Sequence, residues 1–329
     1  MSTKIRINIP GGLHHIMSRG IGGRAIFSDD DSKRFLLGQL SASLEASGHR
    51  CYAWAVMDNH YHLVLRAGDE PLHRMMRCLN MRFARYYAKK TQSSGYVFQG
   101  RFKSIATQDQ GYLEELIRYV HLNPVRAGIC RDLTALDRYP WCGHAVLMSH
   151  AQSDFQNTDD VLKRFGDTSA KARTAYRDFI QAGLTGKGGE DLWERVRDSN
   201  NEAHRTAEPH CWVIGDPDFV RDAVRRSTDR RLRISRCKAE GSTLETLSAS
   251  IAEELDIQPS GLKHRSRLAA ASTARKVLSY VACSLLDFSQ VEVAAYLGVS
   301  PQSVSAAKAA GKDLFTGRQW PKLINLVRG

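Results

Sequence analysis

Between Glu70 and Asp109 the chain of 329 residues has no acidic side chain. That gap, residues 71–108, holds eight basic ones: Arg74, Arg77, Arg82, Arg85, Lys89, Lys90, Arg101 and Lys103. These cations therefore have no carboxylate partner within the segment. Long apolar runs are missing too. No stretch reaches the roughly 18 apolar residues that a membrane-spanning helix needs, which excludes such a helix. The opening MSTKIRINIPGG lacks the apolar stretch of a secretory leader, so none is expected. The seven cysteines (51, 78, 130, 142, 211, 237 and 283) include no CxxC pair. That spacing argues against a cysteine zinc site and for reduced, mostly buried thiols. A cytoplasmic protein that avoids membranes is the expectation.

What is present is positive charge. The net charge is +12 and the isoelectric point is near 9.5. Residues 1–150 hold 20 Lys and Arg against 12 Asp and Glu, so +8 lies there. Six aromatics, Phe83, Tyr86, Tyr87, Tyr96, Phe98 and Phe102, interleave with the basic residues of 71–108. Basic groups pair with phosphates, and aromatic faces can stack on unpaired bases. A solvated basic face over core aromatics would read the same way.

The length suits two domains. HHIMSRG (14–20) reads as a strand, and residues 28–48 as a helix that Gly48 ends. CYAWAVMDN (51–59) and HYHLVLRA (60–67) read as strands, rich in aromatic and β-branched residues. Residues 71–90 read as a helix, 95–107 as a strand or hairpin, and 109–123 as a helix that Pro124 stops. The order β-α-β-β-α-β-α predicts an α+β fold, a ferredoxin-like antiparallel sheet with packed helices. Past about residue 150 strand signals fade, 148–160 looks like a linker, and the remainder reads as helical. The expected domains are 1–150, a linker and helical region over 151–240, and an all-α domain over 241–329.

In a strand, alternate side chains share a face. His60 and His62 of NHYHLVL therefore point one way and Tyr61 the other. Two imidazoles one pleat apart can reach one metal ion, although an isolated HxH is common in ordinary half-exposed strands. The helix 109–123 offers more. Tyr119 and Asn123 lie four residues apart, on one face. An amide oxygen beside two imidazoles makes an open N/O site suited to Mg²⁺ or Mn²⁺. A tyrosine one turn away could attack a phosphorus whose oxygen such an ion polarises. With an ordinary pKa of roughly 10, that phenol needs help from a cation or base. His121 is off this face, Arg118 is adjacent only in sequence, and the base is not identified by the residues.

The combination of MDNHYHLVL, FQGRFKS, YVHLNPVRAG and YPWCGHA, with PGGLHHIMSRG before it, resembles the single-tyrosine HUH transposases, most closely the REP-associated tyrosine transposases. The resemblance covers roughly residues 5–150. It implies His60 and His62 as metal ligands, Asn123 as the third, and Tyr119 as the nucleophile. It implies cutting and rejoining of single-stranded DNA at imperfect hairpins, through a 5′-phosphotyrosine link that leaves a free 3′-OH. Cys142 departs from the serine more usual after the YPW triplet. Candidate DNA contacts in this part are Arg77, Arg82, Arg85, Lys89, Arg101, Lys103 and Arg126.

SQVEVAAYLGVSPQSVSAAKAAG (289–311) fits a helix-turn-helix, with Gly298 at the turn and Val304 packing the second helix back. Gln302, Ser303, Ser305 and Lys308 would then be available to a duplex groove. The longer stretch 244–311 resembles the helical DNA-binding domain of the bacterial replication initiator. Single-stranded hairpins, and duplex DNA through this domain, are the expected partners, with a homodimer left open. Two other readings stand beside this one: a regulator that binds repeat hairpins without cutting, and a metal-dependent hydrolase of small phosphoesters.

Overall fold

A computed structural model describes residues 7, 9, 11–68, 70–109, 111–185, 213–263 and 268–328. Cys211, residues 186–212 of the expected linker region and residues 264–267 of the initiator-like stretch lie outside the described residues. The chain divides into two compact units, Met1–Ser227 and Thr228–Gly329.

The first unit runs β1 (Leu13–Arg19), α1 (Asp30–Ser47), β2 (Arg50–Val56), β3 (His60–Arg66), α2 (Leu72–Thr91), β4 (Lys103–Thr107) and α3 (Leu113–Arg126). The sheet order is β2-β3-β1-β4, antiparallel at each of these pairings. Helices α1 and α2 each connect two strands that run the same way, with one strand between them. This is the split β-α-β, ferredoxin-like arrangement that the element order predicts. One addition was not legible. A two-residue strand, β5 (Val213–Ile214), pairs parallel to β4 at the edge and makes the sheet mixed. Two residues are too few to show alternation, and their partner is more than a hundred residues away in sequence.

Alternation sends the sheet's side chains into two cores. Ile16, Trp54, Leu63 and Leu65 pack with Leu36 and Leu40 of α1 and Leu79 and Phe83 of α2. Leu13, Ala53, Val64 and Ile105 pack on the other side with Leu116, Ile117 and Val120 of α3. Helix α1 starts where the Asp29 side chain accepts the Ser32 N–H. It ends at Gly48, whose φ of 69° a side-chain-bearing residue rarely adopts.

Helix α3 differs from expectation at both ends. Tyr112 stands before its first turn, and the helix runs through Pro124 to Arg126. A proline inside a helix removes one backbone donor. Here the Asn123 side-chain amide donates to the Val120 carbonyl, the one Pro124 cannot serve, at 3.4 Å, and to the Tyr119 carbonyl at 2.7 Å.

The stretch 148–160, expected as a linker, is bound into this unit. Gln156 is buried, accepts the Trp54 indole N–H at 2.9 Å, and donates to the carbonyls of Tyr52 and Gly143. Short helices α4 (Leu133–Asp137), α5 (Gly143–Leu147) and α6 (Thr158–Leu162) lead to α7 (Ser169–Thr185), whose Tyr176 and Ile180 are buried in the α3 core.

Helix α8 (Pro217–Ala239) contains the division between the units. The second unit continues with α9 (Leu244–Glu254), α10 (Ser260–Lys263), α11 (Ala269–Tyr280), α12 (Gln290–Leu297), α13 (Pro301–Thr316) and α14 (Pro321–Arg328). Its core gathers Leu247, Ile251, Val277, Val293, Leu297, Trp320 and Leu323. Ser289 and Glu292 form a capping box on α12, Gly298 closes that helix at φ 67°, and Ser300 caps α13 with Pro301 in its first turn. Val304, Lys308 and Gly311 form the buried stripe of α13. At Gly311 a Cβ would meet the Lys276 carbonyl oxygen of α11 at 2.0 Å, so only glycine permits this approach. Among the described residues no helix is long and apolar enough to cross a membrane.

Candidate functional site

Strand β3 places His60 and His62 on the α3 side of the sheet, while Tyr61 is buried on the other side, where its hydroxyl donates to Asn80. The two imidazoles stand 4.8 Å apart between ring centroids. Tyr119, half-buried on α3, is edge-on to His62 at 5.9 Å and 89°. The strand residues and the helix residue singled out by spacing therefore meet at one place.

A third histidine joins them. His15 of β1 lies edge to edge with His62, ring centroids 5.1 Å and planes 12° apart, with its Nε2 2.9 Å from His62 Nδ1, and it is edge-on to Tyr119 at 5.5 Å. Strand alternation alone does not single it out. Its signal was the HH pair in a strand that, in this topology, must run beside β3. At the end of the same pairing, Arg19 lies opposite His60.

Second partners fix the donors. His60 Nδ1 is 2.6 Å from Asn59 Oδ1, and an amide oxygen only accepts. His60 Nδ1 therefore carries the proton and Nε2 keeps its lone pair. Burial, and then the Arg19 charge, lower the His60 pKa to about 4. Burial first, then His15 and His60, hold His62 well below the ordinary range, and burial brings His15 to about 4. All three imidazoles are thus in the neutral form that binds metals.

Among the described residues no group of three or more His, Cys, Asp and Glu side chains is arranged to hold a metal ion. A cation at His60 and His62 needs a donor of another kind. Asn123 lies one turn beyond Tyr119. Its amide nitrogen faces the helix carbonyls, which leaves Oδ1 as the atom for a cation. Two neutral imidazoles and an amide oxygen fit Mg²⁺ or Mn²⁺ as a donor set.

The cation beside the phenol is Arg126, its guanidinium 5.7 Å from the Tyr119 ring centroid. The sequence predicts it as a DNA contact; seven residues on from Tyr119, it also shares that face of α3. Arg118 is elsewhere, ion-paired with Glu115 and 4.4 Å over the Phe179 ring. His121 points away from the site, as expected, and bonds Tyr176.

Arg77, Arg82, Arg85, Lys89, Arg101, Lys103 and Arg126 are all exposed. Of the interleaved aromatics, Phe83, Phe98 and Phe102 are core, Tyr86 and Tyr87 half-buried, and only Tyr96 stands out, 85% exposed. In the second unit Gln302 and Ser303 are exposed, Ser305 is half-buried, and Lys308 is buried at 8% exposure. Lys308 therefore leaves the set of outward-facing candidates. It falls on the stripe, with Val304 and Gly311, that faces the unit's core rather than solvent.

Residues 13–123 match the family model described as "Transposase IS200 like". The matched segment begins at the first residue of β1 and ends at Asn123. It therefore takes in His15, His60, His62, Tyr119 and Asn123 and stops short of Arg126. No curated protein matches the chain. Four chains of solved structures do. One is the REP-associated tyrosine transposase bound to a REP hairpin, at 18% identity and a TM-score of 0.39, over 45% of this chain and 86% of that one. The match to that family model ends inside the first unit, and the second unit lies outside it.

Proposed function

We propose that this protein cuts and rejoins single-stranded DNA beside hairpins, with Tyr119 as nucleophile and His60, His62 and Asn123 as ligands of one Mg²⁺ or Mn²⁺. The observation that carries the reading is Tyr119 held edge-on to His62, inside a segment that matches the IS200-like transposases. In the reaction the Tyr119 phenolic oxygen forms a bond to phosphorus and the bond from phosphorus to O3′ breaks. The phenolic proton is lost and O3′ gains one, leaving a 5′-phosphotyrosine and a free 3′-OH. Rejoining is the reverse, with a 3′-OH as attacker.

A bound divalent ion would supply charge neutralisation at the phosphate. The chain's own residues do the rest. Arg126 beside the ring places a positive charge near the proposed nucleophile. Arg19, opposite His60, offers a positive charge for the phosphate oxygens. Asn59 holds His60 with its Nε2 bare. The exposed basic face of α2 and the segment 101–103 would track the DNA backbone. The second unit, with Gln302 and Ser303 exposed on α13, would contact duplex flanks.

Labelled single-stranded hairpin DNA, incubated with the protein and Mg²⁺ and run on a denaturing gel, tests the reading. A covalent protein–DNA adduct is the expected result. A mobility shift under native conditions without an adduct would instead make the protein a non-cutting regulator. No interaction would leave a hydrolase of small phosphoesters.

A further inference from the structure

The contact between His15 and His62 has a chemical consequence. Both rings are buried, at 3% and 2% exposure, and a hydrogen bond between two neutral imidazoles needs one N–H and one lone pair. If His15 Nε2 were the donor, the proton of neutral His62 would have to sit on its Nε2, and that atom could not bind a cation. If His62 Nδ1 is the donor, His62 Nε2 is bare. The contact therefore chooses between a form of His62 that can ligate and one that cannot. At His60 the choice is made by Asn59, whose amide oxygen can only accept. At His62 it falls to His15.

We propose that His15 is a positioning residue of the site: its Nε2 accepts the His62 Nδ1 proton, fixes the tautomer with Nε2 bare, and sets the ring plane against which Tyr119 rests. The inference rests on the reading of His62 as a ligand and adds the group that prepares it. Geometry supports it in two further ways. The rings are nearly parallel, 12° apart, so His15 braces the plane of His62 as well as its proton. His15 also meets the edge of Tyr119, so one side chain touches both the proposed ligand and the proposed nucleophile. A histidine that merely filled the core would not need its Nε2 within hydrogen-bond reach of His62.

The test uses the full-length protein and Mn²⁺ alone, with free Mn²⁺ followed by electron paramagnetic resonance. His15→Leu keeps bulk and removes the acceptor; His15→Gln puts an amide oxygen near the position of Nε2. Outer partners of metal-binding histidines contribute on the order of 10- to 100-fold in affinity. His15→Leu is expected to weaken Mn²⁺ binding by about tenfold or more, and His15→Gln to recover most of it. Wild-type affinity in His15→Leu, or no recovery in His15→Gln, overturns the role of His15. His62→Ala is the control: if it still binds Mn²⁺ as wild type does, the ligand reading has failed and not the tautomer argument. Should His15→Leu not fold, long-range ¹⁵N–¹H spectra of the metal-free wild-type protein decide alone. They should show His62 protonated at Nδ1, and protonation at Nε2 would overturn the proposal.

Discussion

The ring of Tyr119 stands at right angles to that of His62, 5.9 Å between centroids, and this approach helps join helix α3 to the central strands of the sheet at the candidate site. Tyr112, the other tyrosine near this helix, lies before its first turn and packs at the rim of the α3 core. Tyr119→Phe is therefore expected to abolish the covalent adduct with hairpin DNA, while Tyr112→Phe keeps it with at most a loss of stability. Mass spectrometry of the trapped adduct after proteolysis checks this directly. A DNA-linked peptide modified on Tyr112 would overturn the assignment.

His60→Ala and His62→Ala should each remove cleavage in Mg²⁺ while hairpin binding survives, because the exposed basic residues that would hold the backbone lie on α2 and at 101–103. Native gels and denaturing gels on the same samples separate binding from cutting. Cleavage by His60→Ala at the wild-type rate would end the ligand reading.

Much of this site was legible because it depends on local periods. Strand alternation put His60 and His62 on one face, and helical spacing put Asn123 one turn from Tyr119. What could not be read depends on non-local partners. His15 acquires meaning only once β1 is known to lie beside β3. Pro124 sits inside α3 because Asn123 supplies the donor it lacks, a compensation invisible to a rule about single residues. Lys308 is expected at a duplex groove from its place on the second helix of the turn motif, whereas its burial follows from the helix face that Gly311 brings against α11. Gln156 falls in the stretch expected as a linker, yet three buried partners claim its amide.

The buried histidines give a pH dependence whose sign is fixed. His14 is lowered to about 3 by burial and then by His49, His15 and His60 to about 4, and His62 and His121 lie well below the ordinary 6.5. Each is neutral in the fold and takes up a proton once unfolded below pH 6.5. The unfolded chain then binds more protons, so stability falls as pH drops from about 6.5 toward 4. Asp29 acts lower. Burial raises its carboxyl, the hydrogen bonds from Lys90 and Ser32 outweigh that and bring it to about 2, and its contribution is lost only below 3.8. Thermal midpoints measured from pH 8 to pH 4.5 should decline from about 6.5 downward. A flat profile to pH 5 would contradict neutral buried imidazoles.

Behind α3 lies a hydrogen-bonded chain. Tyr176 Oη is 2.7 Å from His121 Nδ1 and 2.8 Å from His144 Nδ1, His144 Nε2 is 2.8 Å from Asp137 Oδ1, and Arg177 Nε donates to Asp137 Oδ2 at 2.9 Å. Burial pushes the Asp137 carboxyl up, and the hydrogen bonds from His144 and Arg177 outweigh it and hold the group below its usual range. An ionised Asp137 only accepts, so His144 donates to it, accepts from Tyr176, and Tyr176 accepts from His121. Tyr176→Phe removes one hydroxyl and strands two buried ring nitrogens. Each unsatisfied buried polar group costs about 1–3 kcal/mol, so a loss of about 2 kcal/mol or more is expected in denaturant unfolding. A loss below about 0.5 kcal/mol, the range of ordinary surface substitutions, would mean the chain is not formed.

The same packing decides where the first unit can be cut. Residues 1–150 are the first domain that the sequence predicts. In the fold a fragment ending there would discard Gln156, Tyr176 and Ile180, all buried. The Trp54 indole N–H and His121 Nδ1 would lose their partners, and the outer face of α3 its cover. Burying a large apolar side chain contributes about 1.5–3 kcal/mol, and domains are stable by only about 5–15 kcal/mol in all. Two such side chains and two stranded polar groups use most of that margin. The 1–150 fragment is therefore expected to lack a cooperative thermal transition, whereas a fragment ending at Ser227, where the first unit ends, should melt cooperatively. Calorimetry of the two fragments side by side is the measurement. If 1–150 melts as cooperatively and at the same temperature as 1–227, then α7 is an accessory to the unit and not part of its core.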